Sequence, residues 1–149
     1  MKLMAICALA LLIVGCCNII EDYFDRDEFV IQKGFEDFSV GFRLAADGDA
    51  ICTVRNYAGP NVSVTVWDVN IFDNQDGGIL CGQSVHEELP PGEGFTLELT
   101  ECGNWVNGTR FEVLVEIAYD KHTDTGTESL VEEGTIKRTI EEEYIWKDK

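Results

Sequence analysis

Between Phe111 and Tyr119 the apolar residues Phe111, Val113, Val115, Ile117 and Tyr119 fall on every second position, interleaved with Glu112, Glu116 and Ala118. A period of two is that of a β-strand with one buried face; a helix would scatter these five side chains around its circumference. The same period recurs upstream. Phe38, Val40, Phe42 and Leu44 alternate with Ser39, Gly41 and Arg43, and the run stops at Ala46-Asp47-Gly48-Asp49, residues that tolerate a positive φ. Ala50 to Asn56 reads as the return strand of that hairpin, and Tyr57-Ala58-Gly59-Pro60-Asn61 turns the chain again. Val62, Val64 and Val66 then alternate with Ser63 and Thr65, after which the apolar parity slips to Trp67, Val69 and Ile71. A slip of one position predicts a β-bulge or a change of sheet near Trp67.

Further along, Asp73 to Gly78 reads as a loop and Ile79 to Val85 as a short strand. Leu89-Pro90-Pro91-Gly92-Glu93 is excluded from a strand interior, because two prolines offer no amide donor. Phe95, Leu97 and Leu99 mark the next strand, Thr123 to Thr127 a turn, and Ser129 to about Ile140 the last strand. About seven short strands with turn signals between them predict an all-β fold, an antiparallel β-sandwich of immunoglobulin type, over residues 37–141.

The first twenty residues follow a different rule. Leu3 to Ile20 is an uncharged run of eighteen residues, with Lys2 before it and Glu21 and Asp22 after it. As a helix it spans roughly 27 Å, barely the hydrocarbon core of a bilayer. The flanking charges predict Met1 on the cytoplasmic side and the remainder outside. Within the run, Ile13-Val14-Gly15-Cys16 has the form of a lipobox, in which the cysteine is lipidated and becomes the mature N-terminus. An uncleaved helix and a lipid on Cys16 both remain open. Residues 21–36 form a neck in which Phe29-Val30-Ile31 suits either a continued helix or a short strand before Lys33-Gly34. Residues 142–149 form a charged tail containing Tyr144, Ile145 and Trp146.

With 28 acidic against 11 basic residues, the formal net charge is −17, and neither Lys-Lys nor Arg-Arg occurs anywhere. Such a surface repels nucleic-acid backbones and anionic headgroups, so nucleic acid is excluded as an expected partner. The membrane, through the N-terminal segment, and other protein subunits are the partners expected, with a homopolymer of this chain among the alternatives.

Six cysteines lie at 7, 16, 17, 52, 81 and 102, the first three within the apolar run. An extracytoplasmic location permits Cys81 and Cys102 to bond, closing a loop that stabilises the domain by roughly 3 kcal/mol. Cys52 shares parity with Ala50 and Val54 and reads as a buried, unpaired thiol. Asn61-Val62-Ser63 and Asn107-Gly108-Thr109 are N-glycosylation sequons, at Asn61 and Asn107. No metal or cofactor is expected, since the cysteines lack C-x-x-C spacing and neither His86 nor His122 lies near them. Asp73-Asn74-Gln75-Asp76-Gly77-Gly78 lacks the spacing of a calcium loop and reads as a turn. No nucleophile elbow or phosphate cradle occurs, so no catalytic residue is assigned and the chain reads as a non-enzyme.

The order of features resembles that of archaeal type IV pilin-like cell-surface proteins, with an apolar N-terminal helix followed by a small β-sandwich. The likeness is carried by Tyr23-Phe24 in the neck, Asp37-Phe38-Ser39-Val40, Asp47-Gly48 before Thr53 to Gly59, and Val62 to Val69. It continues with Cys81 and Cys102 flanking a Pro-Gly turn, and with Tyr119 before a final strand containing Glu133-Gly134-Thr135-Ile136. The resemblance implies a membrane-anchored extracellular subunit, pilin-like or adhesive, that acts through protein packing. The alternative expectation is a lipoprotein binding module serving as accessory subunit of an envelope complex or transporter.

Overall fold

The computed structural model describes residues 31–142. The apolar segment, Cys16 and the Tyr144–Trp146 motif lie outside the described residues. Eight strands follow one another: β1 Ile31–Lys33, β2 Phe38–Leu44, β3 Ala50–Asn56, β4 Ser63–Asp73, β5 Ile79–Leu89, β6 Gly94–Leu99, β7 Arg110–Thr123 and β8 Gly126–Thr139. They form two sheets, one of five strands in the order β1-β8-β7-β4-β5 and one of three in the order β2-β3-β6. Every strand pair is antiparallel. The described part is therefore all-β, two antiparallel sheets enclosing one core.

The alternation in the sequence becomes the burial pattern. Phe38, Val40, Phe42 and Leu44 from β2 and Phe111, Val113, Val115, Ile117 and Tyr119 from β7 all point between the sheets and are buried. Across the core, Phe42 meets Phe111 edge to face with ring centroids 5.9 Å apart, and Phe38 meets Tyr119 at 4.7 Å. Aromatic pairs of this geometry stabilise beyond their buried area by about 0.5–1.5 kcal/mol each. Cys52 is fully buried and unpaired in the middle of β3, and burial pushes its thiol up to about 12.

The slip at Trp67 is a β-bulge. Val66 pairs with Tyr119 and Asp68 with Ala118, so Trp67 is the extra residue on β4 relative to β7. Val66 and Val69 are buried while Trp67 and Asp68, two neighbours in sequence, both face outward. Several strands exceed their sequence-based bounds: β7 runs to Thr123 and β8 begins at Gly126, not Ser129, because the two strands stay paired to the tip of the hairpin and leave only Asp124-Thr125 of the expected Thr123–Thr127 turn. β5 runs on to Leu89 rather than ending near Val85, and β1 forms from Ile31 within the segment read as a neck, pairing with Lys137, Ile136 and Thr135 of β8.

The described chain enters and leaves at one end of the sandwich. Ile31 lies opposite Lys137 near the end of β8, and past β8 the backbone of Glu141 bonds Leu44 and Ala46 beside the end of β2. Glu141 is buried there, its carboxylate accepting from Arg43 Nε at 3.0 Å and Arg43 Nη2 at 2.6 Å, with Arg138 Nη2 at 3.8 Å. At this end, which we term proximal, lie the loops after β2, β4 and β6. Gly48, at φ 94, allows the first to pack against Cys102 and Gly103 of the third, where a β-carbon would strike the Gly103 carbonyl. The opposite, distal end carries the loops after β3, β5 and β7.

Candidate functional site

Cys81 lies on β5 in the five-stranded sheet, and Cys102 in the loop just beyond β6 of the three-stranded sheet. The two are joined by a disulfide with Cα atoms 5.0 Å apart. Glu101 adopts a left-handed backbone (φ 60) immediately before Cys102, which turns the chain back toward β5. The bridge thus staples the two sheets along the edge where β5 and β6 face one another.

The two sequons occupy opposite ends. Asn61 is exposed on the distal turn between β3 and β4. Asn107 is exposed on a proximal turn, where its amide nitrogen lies 3.4 Å from Glu142 Oε2 and the Thr109 hydroxyl donates to the Val106 carbonyl at 2.7 Å. Cys16 lies outside the described residues. The Asp73–Gly78 loop is a turn closed on itself: the Asp73 carboxylate accepts from the Gln75 amide, that of Asp76 accepts from Gly78, and the Gly77 amide donates to the Asp73 carbonyl.

Three polar arrangements that the sequence did not reveal are assembled by the sheets. The first centres on Asn56, the last residue of β3, which is 0% exposed. Its amide donates to the carbonyls of Val62 and Leu89 at 2.9 and 3.0 Å, and its side-chain oxygen accepts from the Ala58 amide at 2.8 Å. One side chain thus ties the distal turn after β3 to the end of β5, and satisfies groups that burial would otherwise strand.

The second joins the segment after β1 to the five-stranded sheet. The Tyr119 hydroxyl donates to Asp37 Oδ2 at 2.5 Å and lies 3.3 Å from Glu132 Oε1, and Lys121 Nζ approaches Asp37 Oδ1 at 3.2 Å. The Glu132 carboxylate in turn accepts the backbone amides of Glu36 and Asp37. Burial, followed by the hydrogen bond to Asp37, raises the Tyr119 phenol far above its ordinary range. It remains a neutral donor at any physiological pH.

The third lies on the outer face of the five-stranded sheet. Trp67 is pushed outward by the bulge and is 40% exposed. His86 of β5 stacks on it, with ring centroids 4.6 Å apart and planes 26° from parallel, and the indole N–H donates to Asp120 Oδ2 at 3.0 Å. Asp120 Oδ1 accepts from the Ser129 hydroxyl at 2.7 Å. The hydrogen bonds from Ser129 and then Trp67 hold the Asp120 carboxyl below its ordinary value. His86 Nε2 lies 3.3 Å from Glu88, and Asp68 accepts from the Ser84 hydroxyl at 2.6 Å. The second histidine, His122, is placed between two hydroxyls, those of Thr65 and Thr127, each at 2.9 Å.

These arrangements hold rings and backbone in place, and at His122 they pair an imidazole with the Thr65 hydroxyl. The readable signal for the third was the parity slip at Trp67. Its partners lie on three other strands and become neighbours only through register. No known protein family matches the chain, and no curated protein matches it significantly.

Proposed function

We propose that this chain is a non-enzymatic, extracytoplasmic surface subunit, tethered to the membrane by its first twenty residues and acting through protein contacts made by an immunoglobulin-like sandwich. The observation that carries the reading is the placement of the ends. The described chain begins and finishes at the proximal end, with the three distal loops at the opposite end of the sandwich. The strand order supports the fold type: β2-β3-β6 facing β8-β7-β4-β5 is the order A-B-E against G-F-C-C′ of immunoglobulin-like domains. The staple between Cys81 and Cys102 suits an oxidising compartment, where such bonds persist. The pilin-like resemblance belongs to the same reading, with packing between subunits as the mechanism and the N-terminal segment associating in the membrane or filament core.

Fractionation of native cells, labelling of intact cells and negative-stain imaging with an antibody to the domain test the reading together. Surface labelling with the chain in filaments or adhesive contacts is the expected result; a chain confined to the cytoplasm refutes it. The Ile13-Val14-Gly15-Cys16 motif favours a second reading, a lipoprotein module accessory to an envelope complex. That reading predicts a lipidated mature N-terminus at Cys16 by intact mass, and loss of membrane attachment on Cys16→Ser.

A further inference from the structure

The distal half of the outer face of the five-stranded sheet combines an exposed aromatic ring with a one-sided charge. The ring is that of Trp67, whose orientation is fixed by Asp120 and His86. Around it the outward positions of β4, β5, β7 and β8 carry Asp68, Glu88, Glu116, Asp120 and Glu133. Glu116 and Glu133 stand directly opposite one another, and the 62%-exposed Val131 lies opposite Ala118. Like charges in directly opposed positions cost stability. The outward cations of these strands, Arg110 and Lys137, lie at the proximal end, where Lys137 approaches Glu112 at 3.8 Å.

We propose that this face, centred on Trp67, docks a basic segment of another protein, with an arginine or lysine side chain laid over the face of the indole that His86 does not cover. This deepens the reading above and rests on its premise of protein contacts. Three features select the occupant. An indole attracts a cation through its quadrupole, and more strongly than a phenol or phenyl ring does. The surrounding carboxylates are complementary to a basic chain and repel an acidic one. A second copy of this chain carries the same −17 and is disfavoured on this face, so the occupant is a different polypeptide. The bulge supplies the geometry, since it turns outward a large side chain that strict alternation would have directed into the core.

The test uses the full chain in non-ionic detergent and the peptide acetyl-Gly-Arg-Gly-Arg-Gly-Arg-Gly-amide, with its citrulline counterpart as neutral control, measured by titration calorimetry. The arginine peptide is expected to bind and the citrulline peptide not. Trp67→Ala removes no charge and is expected to weaken binding roughly two- to fivefold, with Trp67→Phe between the two. Glu98→Gln, on the outer face of the other sheet, is expected to leave the affinity unchanged. Because Trp67→Phe retains a ring of similar bulk, it decides the matter should the alanine variant fail to fold. Equal binding by wild type and the Trp67 variants overturns the proposal in favour of a general polyanion effect, as does equal binding of the citrulline peptide or an equal loss with Glu98→Gln. Trp67-dependent binding of cellohexaose in place of the peptide overturns it in favour of a carbohydrate surface. A chain found at the cell surface that does not bind the peptide refutes the docking face alone, whereas a cytoplasmic chain refutes the surface reading alone.

Discussion

Replacing Asn56 with alanine deletes one side chain and strands three backbone groups at the distal end. The amide of Asn56 is the donor to the carbonyls of Val62 and Leu89, and its oxygen is the acceptor for the Ala58 amide. Leu89 is buried, and Val62 and Ala58 are partly buried, so water reaches the vacated partners incompletely. At about 1–3 kcal/mol for each buried group left unsatisfied, with the two half-buried groups discounted, the loss comes to about 2–5 kcal/mol. For a domain of this size that lowers the melting temperature by on the order of 10 °C. Asn56→Asp separates hydrogen bonding from packing, because it is nearly isosteric and keeps the acceptor toward Ala58 while directing a carboxylate at two carbonyl oxygens. Burial and those oxygens raise the folded-state pKa of the introduced carboxyl above its unfolded value. The folded state then holds the proton more tightly, so stability is greatest below the unfolded pKa and falls as pH rises through the folded one. Urea unfolding of the oxidised full chain in non-ionic detergent, followed by tryptophan fluorescence from pH 3 to pH 7, measures both variants. A midpoint for Asn56→Ala within about 0.5 kcal/mol of wild type would refute the reasoning, since surface substitutions fall in that range. So would an Asn56→Asp penalty that does not grow with pH.

Reduction of the Cys81–Cys102 bridge should destabilise the domain by about 3 kcal/mol, read as a lowered urea midpoint in the presence of a phosphine reductant. Cys52, with its thiol pushed up to about 12 by burial, should remain unreactive toward a thiol-specific disulfide reagent in the folded chain and react at the rate of unfolding. Tyr119→Phe keeps the edge-to-face contact with Phe38 but loses the hydroxyl's bond to Asp37, and should cost about 1–3 kcal/mol by urea titration. The Asp120 carboxyl should titrate below an ordinary aspartate in a carbon-detected NMR titration. Its midpoint should rise in Ser129→Ala and, by less, in Trp67→Phe, and the stabilisation it provides, present above the unfolded pKa, is lost as pH falls through the folded one.

The elements that could be read in the sequence are those with one buried face. β2, β3 and β7 alternate because the core lies on one side of each, and the bulge was visible because a single extra residue inverts that alternation between Val66 and Val69. β5 runs past the bound its sequence suggests for the opposite reason. It is an edge strand whose residues Gly82 to Glu88 are mostly exposed, so no periodic apolar set marks its second half. β1 has three residues, too few for any period, and exists because β8 offers an unpaired edge at Thr135 to Lys137. The disulfide was legible because only Cys81 and Cys102 combined a place outside the apolar segment with positions near strand edges. Asn56 with Leu89, Tyr119 with Asp37, and Trp67 with His86 and Asp120 were not legible. Each pair is brought together by register between strands, and a lone Asn, Tyr or Trp carries no mark of the partner it will meet.

The direction of the strands has a consequence for how a partner would approach. β4, β5, β7 and β8 run between the proximal and distal ends, so Trp67 lies on the flank of the sandwich and not at its tip. On the proposed tethering, with the membrane on the side of the proximal end, that flank faces sideways along the membrane or along a filament. The distal loops after β3, β5 and β7 face away from it. A basic segment docked over Trp67 therefore belongs to a neighbour standing beside this chain, and contacts with another cell or a distant surface fall to the distal loops. Trp67→Ala should accordingly weaken lateral association with that neighbour while leaving adhesion through the distal loops intact. Exchange of the exposed Tyr57 in the first distal loop for serine should do the reverse. Crosslinking of neighbours on intact cells and adhesion counts on the same strains measure the two separately, and a single variant that abolishes both would refute this division of the surface.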